Sequence, residues 1–192
     1  NIGIELNGLY QHSELAGSKD PKYHWHKFKG CEIKGIQLLH LWQDEYWNKK
    51  NIIQSKLLYL SNQIANKIHA RKCVIAPITD VKQEMEFLDQ NHIQGFADYR
   101  QWSMGAFIGD QLVGVMSFAH RKGRLELVRF VTDISSTSSG LFSRMFSKSV
   151  TEFQFSGPII SMSDNRISNG KLYLAAGWNF QGELSPNYCY TG

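Results

Sequence analysis

Glu5, Asn7 and His12 lie within eight residues of one another, in Gly3-Ile4-Glu5-Leu6-Asn7-Gly8-Leu9-Tyr10-Gln11-His12. An acid, an amide and an imidazole this close can hold a divalent cation and deprotonate a water, because neutral imidazole is a base near pH 7. The alternation of a strand puts Glu5 and Asn7 on one face and Ile4 and Leu6 on the other. Gly8 then breaks the strand and lets the backbone bring His12 back toward its end. The alternative reading is a surface acid–imidazole pair without chemistry.

The elements around this segment must hold it. Residues 17–21, Gly-Ser-Lys-Asp-Pro, read as a loop that cannot continue a helix. Residues 23–35 have helical length, end at a glycine and are dense in cations and aromatics, among them His24 and His26. Residues 36–42 are a short apolar strand closed by the acidic, aromatic stretch 43–47. Strand, loop, helix and strand make a mixed α/β unit.

Two quoted segments, IGIELNGLYQHSE and KYHWHKFKGCEIKGIQLLHLWQDEYW, resemble the catalytic domain of phage homing endonucleases of the EDxHD group. That group shares the PD-(D/E)XK-type fold of the very-short-patch repair endonucleases. The resemblance covers residues 1–54 and implies a metal-dependent endonuclease acting on double-stranded DNA with Mg²⁺ or another divalent cation. It makes His12 the general base, turns the Leu6 carbonyl toward the metal, faces Asn7 to the scissile phosphate and has His24 orient the catalytic His. Glu5 becomes a second metal ligand, since the wider fold uses an acid on this strand. Two departures accompany it. The family's principal metal-binding Asp and a further acid would precede residue 1, so the chain is expected to be N-terminally truncated, as its start without Met also suggests. The family's Trp before the active-site His is Gln11 here.

The charge is uneven. Residues 1–72 carry eleven Lys or Arg against six Asp or Glu, and the remaining residues carry ten against eleven. Five of the seven His are also in the first segment. A basic half fits contact with phosphates, although a solvated lysine-rich face gives the same count. At 192 residues with 42% apolar content, the chain can bury one good core or two small ones. No apolar run reaches transmembrane length and no signal sequence or lipidation motif is visible, so a cytoplasmic location in a phage or bacterial host is expected, with no membrane partner. Cys31, Cys73 and Cys189 are too widely spaced for a Cys-x-x-Cys zinc site or a disulfide framework.

Downstream, Ile52, Ile53, Leu57, Leu60, Ile64 and Ile68 recur at helical spacing, which predicts one long helix over 48–68, with residues 55–72 connecting two domains. In residues 73–192 the pattern predicts strands over 74–78, 104–108, 111–119, 124–132 and 158–162. Helices are expected over 81–90, 141–155 and 168–176, with a serine-rich loop over 135–139. On the strand 124–132, Glu126 and Arg129 have opposite parity, so at most one is expected to face the core. This order, in FLDQNHIQG, GDQLVGVMSF, LELVRFVTDISSTSSGLFSRMF and NGKLYLAAGW, resembles the GNAT acyltransferase fold. That superfamily's pyrophosphate loop carries a basic or amide residue and spaced glycines. Here it is Ser-Ser-Thr-Ser-Ser-Gly, so acetyl-CoA is the less favoured cofactor. His92, Arg100, His120, Arg121, Lys122, Arg124, Arg144 and Arg166 are candidates for lining a DNA path, and Arg166 is also a candidate for tying down the loop 163–168.

The expected fold class is therefore α/β (α+β), a partial nuclease unit over 1–54 followed by a GNAT-like mixed-sheet domain over 73–192. The expected function is a metal-dependent DNA endonuclease. A CoA-dependent acyltransferase and a DNA-binding remnant without catalysis are the alternatives.

Overall fold

The computed structural model describes residues 1–8 and 22–185. It divides into two compact units, residues 1–48 with 163–192, and residues 49–162. Both are mixed α/β.

In the first unit, β1 (Ile2–Asn7) and β2 (Gln37–Trp42) pair in parallel and α1 (Tyr23–Ile33) crosses between them. A parallel pair needs such a crossover. Helix α1 stops in a glycine cap. Gly35 sits at φ 66°, its N–H donates to the Glu32 carbonyl, and the Ile36 N–H donates to the Cys31 carbonyl. Only glycine takes that left-handed position without cost, so the chain turns there into β2. A short helix, α2 (Gln43–Asn48), follows.

The segment beginning at Ser163 belongs to this first unit. Sequence patterning had assigned it to the second domain. The reason is physical: the His40 N–H donates to the Arg166 carbonyl, so this segment lies along the edge of β2 away from β1. Arg166 holds Asp164 as expected for a loop tie, and it also reaches Glu45. Farther on is a short helix, α6 (Lys171–Ala175), with the tail region 186–192 outside the described residues.

The second unit opens with α3 (Lys50–Leu60), which is shorter than the predicted helix. Asn62 takes φ 58° just past its end, and the chain then forms β3 (Asn66–His69). Ile64 and Ile68 kept the helical spacing by coincidence. The main sheet has the order β4 (Val74–Pro77), β5 (Trp102–Ile108), β6 (Gln111–Arg121), β7 (Arg124–Thr132), β9 (Ile159–Ser161). All neighbours are antiparallel except β7 and β9. The serine run forms β8 (Ser136–Ser139), paired in parallel with β3, where a loop was expected.

Helices cover the two faces of this sheet. On one face α5 (Leu141–Glu152) packs Leu141 and Met145 against Gly114, where an added Cβ would come within 3.3 Å of Leu141. On the other face α4 (Val81–Asn91) joins Leu88 to Leu112 and Val115 in the core, with Phe107 beside them. Asp80 caps α4 by accepting from the Lys82 and Gln83 N–H groups.

A bulge overturns the parity expected for β7. Ser117 pairs with Arg129 and Phe118 with Leu127, so Val128 is the extra residue. Glu126 opposite Ala119 and Arg129 opposite Ser117 therefore share a face. Arg129 donates to the Gly95 carbonyl, and Glu126 lies 3.8 Å from Arg121.

Glu84 is the acid that the sheet buries most completely. Its carboxylate accepts from Ser103 Oγ at 2.5 Å and Arg100 Nε at 3.1 Å. Arg100 is thus a packing residue and not free for DNA. Glu84→Ala should destabilise the second unit by about 3 kcal/mol, because it strands a largely buried guanidinium. Urea unfolding checks this, with Glu84→Gln expected to lose less because it keeps the Ser103 contact.

Candidate active site

The parallel register places Glu5 opposite His40 and Asn7 opposite Trp42. Helix α1 lies over this face and supplies His24 and, one turn on, Lys27. Glu5 Oε2 is 2.9 Å from His40 Nδ1 and 3.8 Å from His24 Nδ1, and Glu5 Oε1 accepts a short hydrogen bond from Lys27 Nζ. The His24 ring sits edge-on to His40 and Trp42 at 5.4 and 5.3 Å between centroids.

Alternation behaves as the sequence predicted. Glu5 and Asn7 share the face beneath α1, while Ile2, Ile4 and Leu6 are exposed on the other. Asn7 is 2% exposed, and neither of its amide atoms has a hydrogen-bond partner among the described residues. The same holds for Glu5 Oε2 and both His40 ring nitrogens. The close His40–Glu5 contact lies off the direction a ring N–H would use. Buried polar atoms without partners are rare, and the Asn7 amide with His40 Nε2, unmatched among the described residues, suits a further polar group here.

The donor set suits a cation. One donor atom from each of Glu5, His24 and His40 lies within 4.8 Å of the others. An ion about 2.0–2.2 Å from each ligand sets donors roughly 3 to 3.4 Å apart, so modest side-chain rotation closes the set. Burial lowers the pKa of both imidazoles, against the opposing pull of Glu5, and so favours the neutral form that a metal ligand needs. Burial works to raise the Glu5 carboxyl, but the Lys27 hydrogen bond and the charges of His40, Lys27 and His24 hold it below its ordinary value. Hydrogen bonding to Glu5 correspondingly raises the Lys27 ammonium.

The sequence-predicted residues fall as follows. Glu5, Asn7 and His24 are brought together. Leu6 projects its side chain to the opposite face, 73% exposed. In the parallel ladder Asn1 accepts from the Gln37 N–H, so the odd residues of β1 bond to β2 and the Leu6 carbonyl points to the strand's other edge. His12 lies outside the described residues. His40 and Lys27 were missed. The signal for His40 was one polar residue inside the apolar run Gln37–Trp42; for Lys27 it was the i+3 spacing from His24 on α1.

No family model and no curated protein matches this chain. Among solved structures it is similar to a GNAT-family acetyltransferase from Streptococcus pneumoniae, at 14% identity and a TM-score of 0.46, covering 60% of this chain and 98% of that one. The endonuclease resemblance of residues 1–54 has no counterpart in these comparisons. No helix among the described residues is long and apolar enough to cross a membrane.

Proposed function

We propose that the chain hydrolyses phosphodiester bonds of double-stranded DNA with the help of a divalent cation held by Glu5, His24 and His40. The observation that carries this reading is the convergence of a carboxylate and two imidazoles beside a buried Asn7 whose amide has no partner among the described residues. A bound divalent ion would supply charge neutralisation at the phosphate and acidify a water. The chain's own residues do the rest. The Asn7 amide N–H donates to a phosphate oxygen and orients it. Lys27, half-exposed on a long stem, moves from Glu5 to pair with a second phosphate oxygen. His12 takes the proton from water in the endonuclease resemblance. Two imidazoles and one carboxylate favour a borderline ion such as Zn²⁺, and after it Mn²⁺, over Mg²⁺, which prefers an all-oxygen shell.

The test is nicking of supercoiled plasmid with Mn²⁺, Zn²⁺, Mg²⁺ or EDTA, alongside His40→Ala. Cleavage is expected with a borderline ion and is expected to disappear with EDTA and in the variant. Cleavage that survives in His40→Ala would overturn the site assignment.

A second reading, CoA-dependent acyl transfer by the second unit, is favoured by the sheet. Strand β7 pairs with β9 only over Leu125–Leu127, beside the bulge at Val128, so the two strands are unpaired beyond that point. Against it, the segment leading to α5 is laddered to β3 over Ser136–Ser139. Thermal stabilisation by acetyl-CoA that is insensitive to salt would support this reading.

A further inference from the structure

We infer that the second unit carries a docking groove for the sugar-phosphate backbone of duplex DNA, formed where β4 meets α5. This rests on the proposal that DNA is the substrate. A groove of about 400 Å³ is lined by Ile75, Arg144, Ser147, Lys148 and Thr151. Arg144 and Lys148 are one helical turn apart on α5, both exposed, with the hydroxyls of Ser147 and Thr151 between and beyond them.

Further cations lie on a segment that Arg144 holds. The Arg144 guanidinium donates through Nη1 to the Ala70 carbonyl, which fixes the turn carrying exposed Arg71 and Lys72 beside the start of α5. Pairing of β3 with β8 brings exposed Lys67 opposite Thr137, three residues before α5's glycine cap. Acids are missing from these segments. None occurs in residues 49–79 or in residues 134–151, and Glu152, 3.1 Å from Lys148, is the first to appear.

The arrangement selects for a polyanion. Cations that outnumber the acids over a run of surface, here with Glu152 beside Lys148 alone, raise a positive potential, and a duplex that lies across them releases counterions for each phosphate neutralised. Hydroxyls beside the cations supply the neutral donors that position a phosphate without reading sequence. Among the arginines the sequence marked for DNA, Arg100 is committed to Glu84, Arg166 to Asp164 and Glu45. Arg144 keeps most of its donors for a ligand.

The experiment is fluorescence anisotropy of a labelled random-sequence duplex with the whole chain in EDTA, titrated between about 50 and 200 mM salt. Four variants are compared: Arg144→Glu with Lys148→Glu, Lys148→Glu with Thr151→Glu, Lys148→Glu alone, and Lys82→Glu as an exposed charge elsewhere. The double variant should bind at least about tenfold more weakly, with its log–log salt slope reduced by about two, and the single variant by about one. Lys82→Glu should bind like the parent. Because Arg144 also anchors Ala70, Lys148→Glu with Thr151→Glu serves as a second charge reversal that leaves this anchor in place. Unchanged binding in both double variants overturns the groove, as does an equal loss in Lys82→Glu. If instead the double variants keep DNA binding and lose a salt-tolerant stabilisation by CoA, the groove is a small-phosphate site and the inference fails. Binding without metal is independent of cleavage, so intact groove-dependent binding with no nicking would remove the nuclease reading alone.

Discussion

Replacing Glu5 with Gln is expected to slow metal-dependent nicking by at least about 100-fold and to weaken binding of Mn²⁺ by at least about 100-fold. Loss of a group that merely orients a ligand already costs 10 to 100-fold, and Glu5 is itself the anionic ligand. The substitution preserves size and leaves the strand pairing intact. It removes the negative charge that pairs with Lys27 on this face. An incoming dication then meets an ammonium with no carboxylate beside it, so attraction becomes repulsion. Rate is expected to fall by roughly 10² to 10³ even at saturating metal, because the charge that neutralises the developing phosphate negative charge is no longer held in place. Calorimetric titration with Mn²⁺ and plasmid nicking measure the two effects separately. If Glu5→Gln binds Mn²⁺ with parental affinity, the cluster is an ordinary ion pair between Glu5 and Lys27.

Much of this face was legible before any coordinates. Strand alternation put Glu5 with Asn7, and the βαβ rhythm put a His-bearing helix between two strands. What was not legible depended on pairing between distant segments. His40 reads as one interruption of an apolar strand until the register with β1 sets it against Glu5. The register follows from how α1 packs, which no local pattern encodes. The same cause hid β8, because a serine run has no strand signal of its own and becomes one only against β3. Helix α3 ends early for a local reason, the left-handed Asn62, yet Asn at such a site is ambiguous when the apolar spacing runs on past it. Glu126 and Arg129 show how one inserted residue defeats a parity argument: Val128 adds a step, and every side chain beyond it changes face. The first unit's inclusion of the segment from Ser163 was equally invisible, since it rests on a backbone hydrogen bond to His40 and on Arg166.

Arg166→Ala carries the second large effect, and it tests whether the segment from Ser163 positions the site. Arg166 donates to Glu45 Oε1 at 3.0 Å and to Asp164 Oδ2 at 2.7 Å, while its own carbonyl accepts the His40 N–H at 3.0 Å. Burial works against its charge, but the hydrogen bonds and charges of Asp164 and Glu45 outweigh this and hold it protonated. Without the guanidinium two carboxylates remain with no cation joining them. The expected loss is roughly 2 kcal/mol, below the fully buried range because about a third of the side chain is exposed. Slackening of the turn then loosens the backbone bond that fixes His40 against Glu5, so affinity for Mn²⁺ should fall about 10 to 100-fold at temperatures where the variant is fully folded. Arg166→Lys should restore only part of either quantity, since an ammonium cannot span two carboxylates as a planar fork does. Urea unfolding and Mn²⁺ titration of the same samples separate the outcomes. Loss of stability with undiminished Mn²⁺ affinity would make Arg166 a structural tie alone, whereas parallel loss in both makes it a positioning residue for His40.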